Sequence, residues 1–471
     1  MQTWWQVLDG VNVVVLIYFA LLNGVYLITT LAAFTTLRVH ARRLKAFDVE
    51  DLFLAAGAPG VTVIVPTFNE ELNSVEVTTS LLQLSYPQYE VIIVNDGSED
   101  GTLSVLREAF DLVAVPRAPT ATISTAAVRA EFQSRRFPRL WVIDKDNGGK
   151  SDAINVGLNV CRTPFFCVVD SDSLLERDAL MRMVRPFLID RTTVACGGII
   201  RIANGCTVTD GTVTDIRLPR NVLARFQVLE YLRAFLVGRV GWSVLKASLI
   251  ISGAFGVFRR SVVVDAGGYD THTVGEDMEL VVRLHRHCRT HRIPYRIHFV
   301  PDPVAWTACP ETLLAFGRQR ARWQCGLMQS LWRHIGMLCN PRFGRVGMVA
   351  YPYFVFLEGL GPVIEFVGYV AFALALIFHR ASFFYVIAFL MLALVFGTAL
   401  SIAAVALEEL VFRRYSRFSD LIRLFALAVM ENVGYRQMLT YWRVHGFVSF
   451  LFGGRVWGRV ERTEFVTQKA I

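Results

Sequence analysis

Closely spaced acidic side chains are the clearest chemical feature of this sequence. Asp170-Ser171-Asp172 directly follows the apolar run Phe165–Val169. Two carboxylates at i and i+2 after a strand can hold a hard divalent cation together with a diphosphate, because Mg²⁺ and Mn²⁺ prefer oxygen ligands and share their coordination shell with substrate phosphates. An isolated Asp-x-Asp pair is more often a solvated turn, so this pair alone does not decide the chemistry.

A glycine-rich loop and a second acidic pair add to this signal. The loop Asn147–Lys150 reads Asn-Gly-Gly-Lys and opens a predicted helix, so a phosphate there would meet backbone N–H groups, the helix dipole and an ammonium. Glu276-Asp277 precedes an apolar helical pattern. This pair is either a general base or a favourable placement of negative charge at a helix N-terminus.

A third segment joins cationic and aromatic groups. Gln319–Trp323 reads Gln-Arg-Ala-Arg-Trp. Arginine suits pyrophosphate, and tryptophan suits the face of a sugar ring. The alternative is a basic amphipathic helix on lipid headgroups, with its arginines reaching toward water. The two interpretations are compatible, because the segment leads into an apolar region.

A cluster of histidine and cysteine does not favour a metal site. His285, His287, Cys288 and His291 lie close in sequence, but the three arginines interleaved with them would repel a cation. The eight cysteines include no C-x-x-C pair, and most fall in the middle of the chain. This usage is typical of reduced cytosolic thiols rather than of a secreted disulfide framework.

The composition indicates a membrane protein. The 471 residues are 54% hydrophobic and 19% charged, with a mean hydropathy of +0.42, whereas soluble proteins average about 25% charged residues. The formal net charge is +8, and basic residues such as Arg413, Arg414 and Arg417 gather beside apolar segments. That placement is typical of the cytoplasmic face of a membrane, and no nucleic-acid partner is expected.

Four short apolar runs predict buried parallel strands. Their residues are hydrophobic almost without interruption, and helical patterns lie between them. The runs are Val61–Val65, Val91–Val94, Leu140–Ile143 and Phe165–Val169. Each is followed by polar residues, and in a doubly wound sheet such strand ends open onto one ligand-binding crevice. We therefore predict a Rossmann-like α/β domain; the stretch Val113–Pro138 is expected to be a surface insertion.

Long uncharged stretches predict membrane helices on either side of this domain. Val13–Leu37 and Phe383–Leu407 are each long enough to cross a bilayer. Val346–Phe378 is broken by prolines, so its second half is expected to span and its first half to be interfacial or re-entrant. Leu421–Phe452 carries charges, and whether it crosses, dips in or lies flat stays open.

These patterns divide the chain into four predicted segments. A transmembrane anchor is expected over 1–45 and a cytosolic α/β domain with interfacial helices over 46–340. Transmembrane or interfacial helices are expected over 341–453, followed by a cytosolic tail over 454–471. Glu358 and Glu365 lie seven positions apart and hence on one helical face. They are candidates for lining a channel through the membrane; the alternative is pairing with arginine at the interface.

Taken in order, the motifs resemble glycosyltransferase family 2, the membrane-integrated processive synthases of cellulose, chitin, hyaluronan and poly-N-acetylglucosamine. The resemblance covers about Val61–Ser330, and the overall pattern is most similar to the bacterial poly-β-1,6-N-acetylglucosamine synthases. The segments that carry it are Pro66–Glu70, Val94–Ser98, Asn147–Lys150, Asp170–Asp172, Gly275–Asp277 and Gln319–Trp323.

The resemblance implies a GT-A fold, a UDP-sugar donor, and roles for the residues that match. Mg²⁺ or Mn²⁺ would bind at Asp172, and Asp277 would be the base that deprotonates the acceptor hydroxyl, inverting the anomeric carbon. Residues holding the nucleotide or donor sugar would be Thr67, Glu70, Asp96, Lys150 and Asp170. Residues holding the acceptor end and the diphosphate would be Glu276, Gln319, Arg322 and Trp323.

The C-terminal segment and one internal loop give weaker matches. Trp457-Gly458-Arg459 resembles the Trp-Gly loop of hyaluronan synthases, and Phe465–Lys469 resembles the gating loop of cellulose synthases, one residue short. Trp457 and Lys469 are thus a candidate gate over the donor, the alternative being a basic tail on headgroups. Ser252–Gly256 resembles the acceptor-side loop, and a plain buried turn is the alternative.

The expected function is processive polymerisation of a UDP-sugar, with UDP-N-acetylglucosamine as first choice. The β-linked polysaccharide would be exported across the bacterial inner (plasma) membrane, with the catalytic domain cytosolic. Expected partners are the donor, the growing polysaccharide and membrane lipid, with accessory or export proteins as further candidates. The alternative is a non-processive family 2 transferase that adds one sugar to a lipid or lipid-linked acceptor. A degenerate, non-catalytic domain is disfavoured because its carboxylates are intact.

Overall fold

The chain folds into two compact units. The computed structural model describes residues 2–44, 57–209, 211–379, 382–415 and 417–453. Within these ranges, the α/β unit comprises His40–Pro219 and Ser248–Cys309, and the helical unit comprises Met1–Val39, Arg220–Ala247 and Pro310–Glu461. The division differs from the predicted domain 46–340, because residues 220–247 and 310–340 belong to the helical unit and pack with its other helices.

A ten-stranded mixed sheet forms the centre of the α/β unit. The strands β1 to β12 are, in chain order, Val61–Thr67, Tyr89–Asp96, Leu112–Ala114, Val128–Ser134, Leu140–Lys145, Phe165–Val169, Ser173–Leu175, Thr193–Ile202, Thr207–Thr209, Thr212–Asp215, Phe255–Arg259 and Arg296–Thr307. The strand order in the sheet is β3-β4-β5-β2-β1-β6-β11-β8-β12-β7, and β9 and β10 form a separate antiparallel pair.

Helices pack on this sheet and build the other unit. The α-helices α1 to α15 are, in chain order, Gln2–Leu44, Ser74–Leu82, Thr102–Phe110, Lys150–Val160, Ala179–Ile189, Val222–Tyr231, Val240–Val244, Arg260–Asp265, Glu276–Thr290, Leu313–Arg333, Gly361–Ile377, Phe383–Leu390, Phe396–Val411, Phe418–Met430 and Tyr435–Leu451. The π-helical segments are Leu232–Arg239, Val346–Ala350, Tyr353–Gly359 and Met391–Val395.

The four predicted strands are confirmed as the parallel core of the sheet. They are β1, β2, β5 and β6, which lie side by side in the order β5-β2-β1-β6 and pair in parallel. Every residue of β1, β5 and β6 is buried, as expected for strands covered on both faces. Because β2 and β5 continue to Asp96 and Lys145, the polar residues at their ends belong to the sheet itself.

The predicted surface insertion Val113–Pro138 is wrong in part. Its segment β4 pairs antiparallel with β5, and β3 pairs with β4, so the region extends the sheet at one edge. Phe132 and Ser134 of β4 are buried, whereas Gln133 between them is half-buried. This alternation is typical of a strand with one covered face, a weaker pattern than the continuous apolar runs.

The helical unit contains the predicted membrane helices. Within the described ranges, Leu8–His40 and Phe383–Val411 are long and apolar enough to cross a bilayer. Val346–Gly359 and Gly361–Ile377 meet at a bend of 42° and count as a third candidate, either a broken span or a re-entrant loop. Glu358 and Glu365 stand on opposite sides of that break, so the single continuous helical face predicted for them is wrong. The region 421–452 consists of α14 and α15, with a turn between them.

His285 is a structural residue of the core. It is buried on α9, donates from Nε2 to the Ser248 carbonyl at 2.8 Å, and accepts at Nδ1 from the Tyr295 hydroxyl at 2.8 Å. Burial lowers the pKa of His285 to about 4 and raises the pKa of Cys288 to about 11. Among the described residues no group of three or more His, Cys, Asp or Glu could hold a metal ion.

A close approach of helix and turn fixes the loop before α9. Asn155 of α4 accepts from the Tyr269 backbone N–H at 2.7 Å and donates to the Tyr269 carbonyl at 2.8 Å. Gly268 has φ +75°, and a Cβ there would lie 2.6 Å from Asn155 Oδ1 and 2.7 Å from Ile123 Cδ1. Glycine is therefore required at this position by both conformation and space.

We expect Gly268→Ala to lower the free energy of unfolding by about 3 kcal/mol, from strain plus steric overlap. Gly267→Ala is the matched control: its φ is +94°, but the nearest atom to a Cβ is Arg283 Nη1 at 3.7 Å. The control should lose only about 1 kcal/mol, from backbone strain alone. Thermal unfolding of both variants in detergent measures the difference, and equal losses would show that the contact with Asn155 is unimportant.

Candidate functional site

Asp96, at the end of β2, organises the loop that follows β5. Its Oδ1 accepts from Lys145 Nζ at 2.5 Å and from the Gly148 N–H at 3.0 Å, and its Oδ2 accepts from the Gly149 N–H at 2.8 Å. Charge-assisted hydrogen bonds of this kind are strong, so the carboxylate shapes the turn. The same two N–H groups were expected to meet a phosphate; in the structure they bind Asp96 instead.

Lys145 is a site residue that the sequence did not single out. Its side chain has no exposed surface, and its Nζ lies 2.7 Å from Asp152 Oδ1 as well as 2.5 Å from Asp96. The only sequence signal was its place in the polar run 144–150, which does not show which side chains point inward. The structure makes Lys145 the cation that neutralises two buried carboxylates.

Lys150, the first residue of α4, bridges two acidic motifs. Its Nζ lies 2.7 Å from Asp170 Oδ1 and 2.9 Å from Glu276 Oε1, with one-third of the side chain exposed. Although burial opposes the shift, the carboxylates of Asp170 and Glu276 raise the pKa of Lys150 above its ordinary value. Lys150 is therefore charged at neutral pH and joins the end of β6 to the start of α9.

Asp277, the predicted base, is half-buried in the first turn of α9. Its Oδ2 accepts from the Gly253 backbone N–H at 3.0 Å, and its Oδ1 accepts from the Met278 N–H at 2.8 Å. A Cβ on Gly253 would lie 3.2 Å from Lys150 Nζ and 3.5 Å from Asp277 Oδ2. The loop of Gly253 thus lies beside both the lysine and the carboxylate, directly before β11.

The residues after β1 are tied to those after β2 and β6. Glu70 is buried; its N–H donates to Thr102 Oγ1 at 2.8 Å, and its Oε1 accepts from Ser171 Oγ at 2.7 Å. Thr67 is also buried and donates to the Val65 carbonyl at 3.3 Å. Residues that follow β1 and β6 thus come together as predicted from the strand ends, with Glu70 in contact with the Asp-Ser-Asp motif.

Asp170 and Asp172 are suitable for sharing a divalent cation. Both side chains are half-buried, which leaves carboxylate oxygen accessible. Asp172 Oδ1 accepts from Ser173 Oγ at 3.3 Å, and Asp170 Oδ1 binds Lys150. Two carboxylates are too few for a cage made of protein alone, so the donor set suits a hard cation that also binds phosphate and water.

The Gln-Arg-Ala-Arg-Trp motif lies on α10 in the helical unit. Gln319 and Arg322 are half-buried there, and Trp323 is 40% exposed. The structure therefore brings together, in the α/β unit, the predicted donor residues with Glu276 and Asp277, and it places Gln319, Arg322 and Trp323 on the other unit. The candidate gate residues Trp457 and Lys469 lie outside the described residues.

Family models match most of the folded chain. A model of glycosyl transferase family 2 matches residues 62–237, and a model of glycosyl transferase family group 2 matches residues 165–407, more than half of the chain. The chain belongs to glycosyltransferase family 2. The family resemblance seen in the motifs is thereby confirmed.

Curated relatives are similar over more than half of the chain. The poly-β-1,6-N-acetyl-D-glucosamine synthase of Staphylococcus aureus (strain COL) is 28% identical over 276 residues, which are 58% of this chain and 56% of that protein. The synthase of the same name from Staphylococcus epidermidis is 27% identical over 282 residues, 59% of this chain and 57% of that protein. The match thus spans little more than half the length of these relatives.

A solved structure supports the fold class. The mannosyltransferase from Pyrobaculum calidifontis, in complex with GDP-Man and Mn²⁺, superposes with a TM-score of 0.53 and 19% identity over 92% of this chain and 100% of that chain. At this identity the likeness concerns the fold alone. The predicted GT-A fold class is confirmed, and with its apolar helices the family 2 chain is a membrane protein.

We expect Lys145→Met to lower the free energy of unfolding by about 3–5 kcal/mol, because it leaves Asp96 and Asp152 buried without their shared cation. Lys150→Met is the matched control: its side chain is one-third exposed, so water can compensate and the loss should be much smaller. Thermal unfolding in detergent measures both. Similar stability of the two variants would contradict the structural role assigned to Lys145.

Proposed function

We propose that this protein is a processive inverting glycosyltransferase that polymerises a UDP-sugar, with UDP-N-acetylglucosamine as first choice, into a β-linked polysaccharide. In this proposal the polymer is exported across the bacterial inner membrane. The observation that carries the proposal is the Lys150 bridge, which joins the donor-side Asp170 to Glu276, the neighbour of the base. The name of the staphylococcal relatives supports this choice of sugar.

The geometry around Asp277 suits a general base. Its two oxygens are oriented by the N–H groups of Gly253 and Met278, and the N-terminus of α9 favours the ionised carboxylate. In the proposed reaction Asp277 takes the proton of the acceptor hydroxyl, whose oxygen displaces the diphosphate at the anomeric carbon. One base and one displacement give inversion, and hence a β-linkage from an α-linked donor.

The donor's diphosphate fits the residues around Lys150. The ammonium offers a positive charge to the phosphates, while Asp170 and Asp172 would hold Mg²⁺ or Mn²⁺ beside it. Such an ion would neutralise the negative charge that builds on the departing nucleotide. We place Thr67, Glu70 and Asp96 near the uridine, with Asp96 acting through the loop that it holds.

Polar side chains inside the helical unit support export. Glu365 accepts from the Tyr18 hydroxyl at 3.0 Å and from the Thr440 hydroxyl at 2.9 Å. Glu358 pairs with Arg443 at 3.1 Å. Pairing with arginine was the expected alternative to lining a channel. Polar groups within apolar helices are costly and are typical of transport pathways. Glu365 is therefore the better candidate for contact with a passing polymer.

The decisive experiment is UDP release by detergent-purified protein with Mg²⁺ or Mn²⁺, offering each common UDP-sugar singly and sizing the product. Release with one donor and a long, enzyme-digestible polymer supports the proposal. Release with one sugar added per acceptor would replace it with the non-processive alternative. Absence of release with every donor and both metals would contradict it.

We expect Asp277→Asn to lower UDP release by about 10²–10⁴-fold, the usual contribution of a general base. Asp265→Asn is the matched control, since Asp265 is an exposed residue at the end of α8 and should leave the rate unchanged. Both variants should unfold at the wild-type temperature. Wild-type rates in Asp277→Asn would exclude this carboxylate as the base.

We expect Glu365→Ala to reduce polymer export about fivefold while UDP release is retained, because it removes a hydrogen-bonding group proposed to contact the passing polymer, and one such hydrogen bond is worth about 1 kcal/mol. Polymer accumulated inside inverted membrane vesicles is compared with UDP released outside. Glu409→Ala is the control, as Glu409 lies at the end of α13, 4.0 Å from the exposed Arg413. Equal loss of export and UDP release would assign Glu365 a structural role only.

A further inference from the structure

Arg320 is the most unusual buried charge on helix α10. Only 2% of its side chain is exposed, although it lies between Gln319 and Arg322 in the Gln-Arg-Ala-Arg-Trp motif. Its Nη2 lies 2.9 Å from Glu230 Oε2 on α6. Among the described residues its Nε and Nη1 have no hydrogen-bond partner. A buried guanidinium whose charge is paired with one carboxylate is costly, so contacts beyond that ion pair are needed to favour arginine here.

The aromatic neighbours of Arg320 indicate that role. Its guanidinium carbon lies 4.2 Å from the centroid of the Trp323 ring and 4.8 Å from that of Phe316. Phe316, Arg320 and Trp323 follow each other by four and three positions, so they share one face of α10. A planar guanidinium stacks on aromatic faces, whereas the compact ammonium of lysine does not.

Further contacts hold the guanidinium in place from two other helices. The Tyr435 hydroxyl of α15 donates to Glu230 Oε2 at 2.6 Å, and Gln227 Oε1 lies 3.5 Å from Arg320 Nη2. The Tyr435 ring lies 5.7 Å from the ring of Phe316. Three helices of the unit therefore support one cation, and that cation supports the indole of Trp323, which stays 40% exposed.

We propose that Arg320 is a positioning residue: stacked on the indole, it holds Trp323 in the orientation that presents its exposed part to the acceptor sugar. The contact with sugar rests on the proposed function, whereas the positioning of the indole rests on the contacts of Arg320 alone. Arg320 itself touches no substrate in this proposal. Its neighbours Gln319 and Arg322 keep the roles proposed for them.

Arg320→Lys tests the positioning, with Trp323→Phe and the double variant completing a cycle. The near-UV circular dichroism difference between a chain and its Trp323→Phe partner isolates the signal of this one indole. We expect that signal to be lost in Arg320→Lys and kept in Arg318→Lys, a matched change at an exposed arginine of the same helix. An unchanged indole signal in Arg320→Lys would overturn the proposal whether or not the protein is active.

Kinetics test the consequence for the acceptor. With a short β-linked N-acetylglucosamine oligosaccharide as probe, Arg320→Lys should raise the acceptor KM about five- to tenfold, in line with a desolvated cation–π contact. The donor KM and kcat should stay within about twofold of wild type, because Arg320 contacts neither the donor nor the base in this proposal. In the Trp323→Phe background the further effect of Arg320→Lys should vanish, because the arginine acts through the indole.

The remaining outcomes separate the two proposals. A wild-type chain inactive with every donor would contradict the proposed function, while the indole signal would still decide the positioning. Additive effects in the double variant, or equal losses in acceptor KM and kcat, would show that Arg320 acts independently of Trp323. Should Arg320→Lys fail to fold, Glu230→Gln removes the ion-pair partner and keeps the guanidinium. It should then weaken the indole signal in the same direction, and an unaltered signal would count against the proposal.

Discussion

Lys145 has no exposed surface, and an ammonium in that position is stable only where carboxylates neutralise it. Asp96 and Asp152 meet this requirement at 2.5 and 2.7 Å. Asp96 also accepts from two backbone N–H groups in the loop that follows β5. The carboxylate that neutralises Lys145 therefore also fixes the path of the chain up to Lys150. The position of Lys150 therefore depends on the buried Lys145. Because Lys150 joins the end of β6 to the start of α9, that link depends on Lys145 as well.

The helical unit obeys a different constraint, since lipid offers no hydrogen bonds to exposed backbone groups. The chain breaks at Leu360, between Tyr353–Gly359 and α11, and such a break frees carbonyl groups. The carbonyl of Glu358 accepts from Arg443 at 2.8 Å, and that of Gly359 accepts from Gln324 at 2.9 Å. Gln324 of α10 and Arg443 of α15 thus make the break possible. Arg443 also pairs with the carboxylate of Glu358.

The parallel core of the sheet could be predicted because burial on both faces leaves an uninterrupted apolar run in each strand. The strands β3 and β4 could not, since a half-covered strand alternates and the surrounding stretch Val113–Pro138 is rich in Ala, Thr, Arg and Pro, which is typical of a loop. The grouping of Asp170, Glu276 and Asp277 followed from strand ends and from the family resemblance. The part played by Lys145 did not follow, because the inward direction of a side chain at the end of β5 depends on the pleat of the neighbouring strands.

The division of the charged motifs over two units also escaped the sequence. Arg320 illustrates why: Gln319, Arg322 and Trp323 match the family motif by identity, whereas the burial of Arg320 depends on Glu230, ninety positions away. Pairing at that separation leaves no local pattern. An arginine in a basic run is normally interpreted as solvated, and only the packing of α6 and α15 on α10 excludes water from this one.

Charge balance at Lys150 gives the physical reason to expect a divalent cation. One ammonium is shared by the carboxylates of Asp170 and Glu276, so this cluster already carries a net negative charge. The carboxylates of Asp172 and Asp277 nearby add to it, and a donor diphosphate would add more. In a half-buried crevice, where water screens charge poorly, such an excess of like charge costs several kcal/mol at distances of about 4 Å. A hard divalent cation bound with the donor would offset the negative charge of the diphosphate, so that the donor would add no further like charge to these carboxylates.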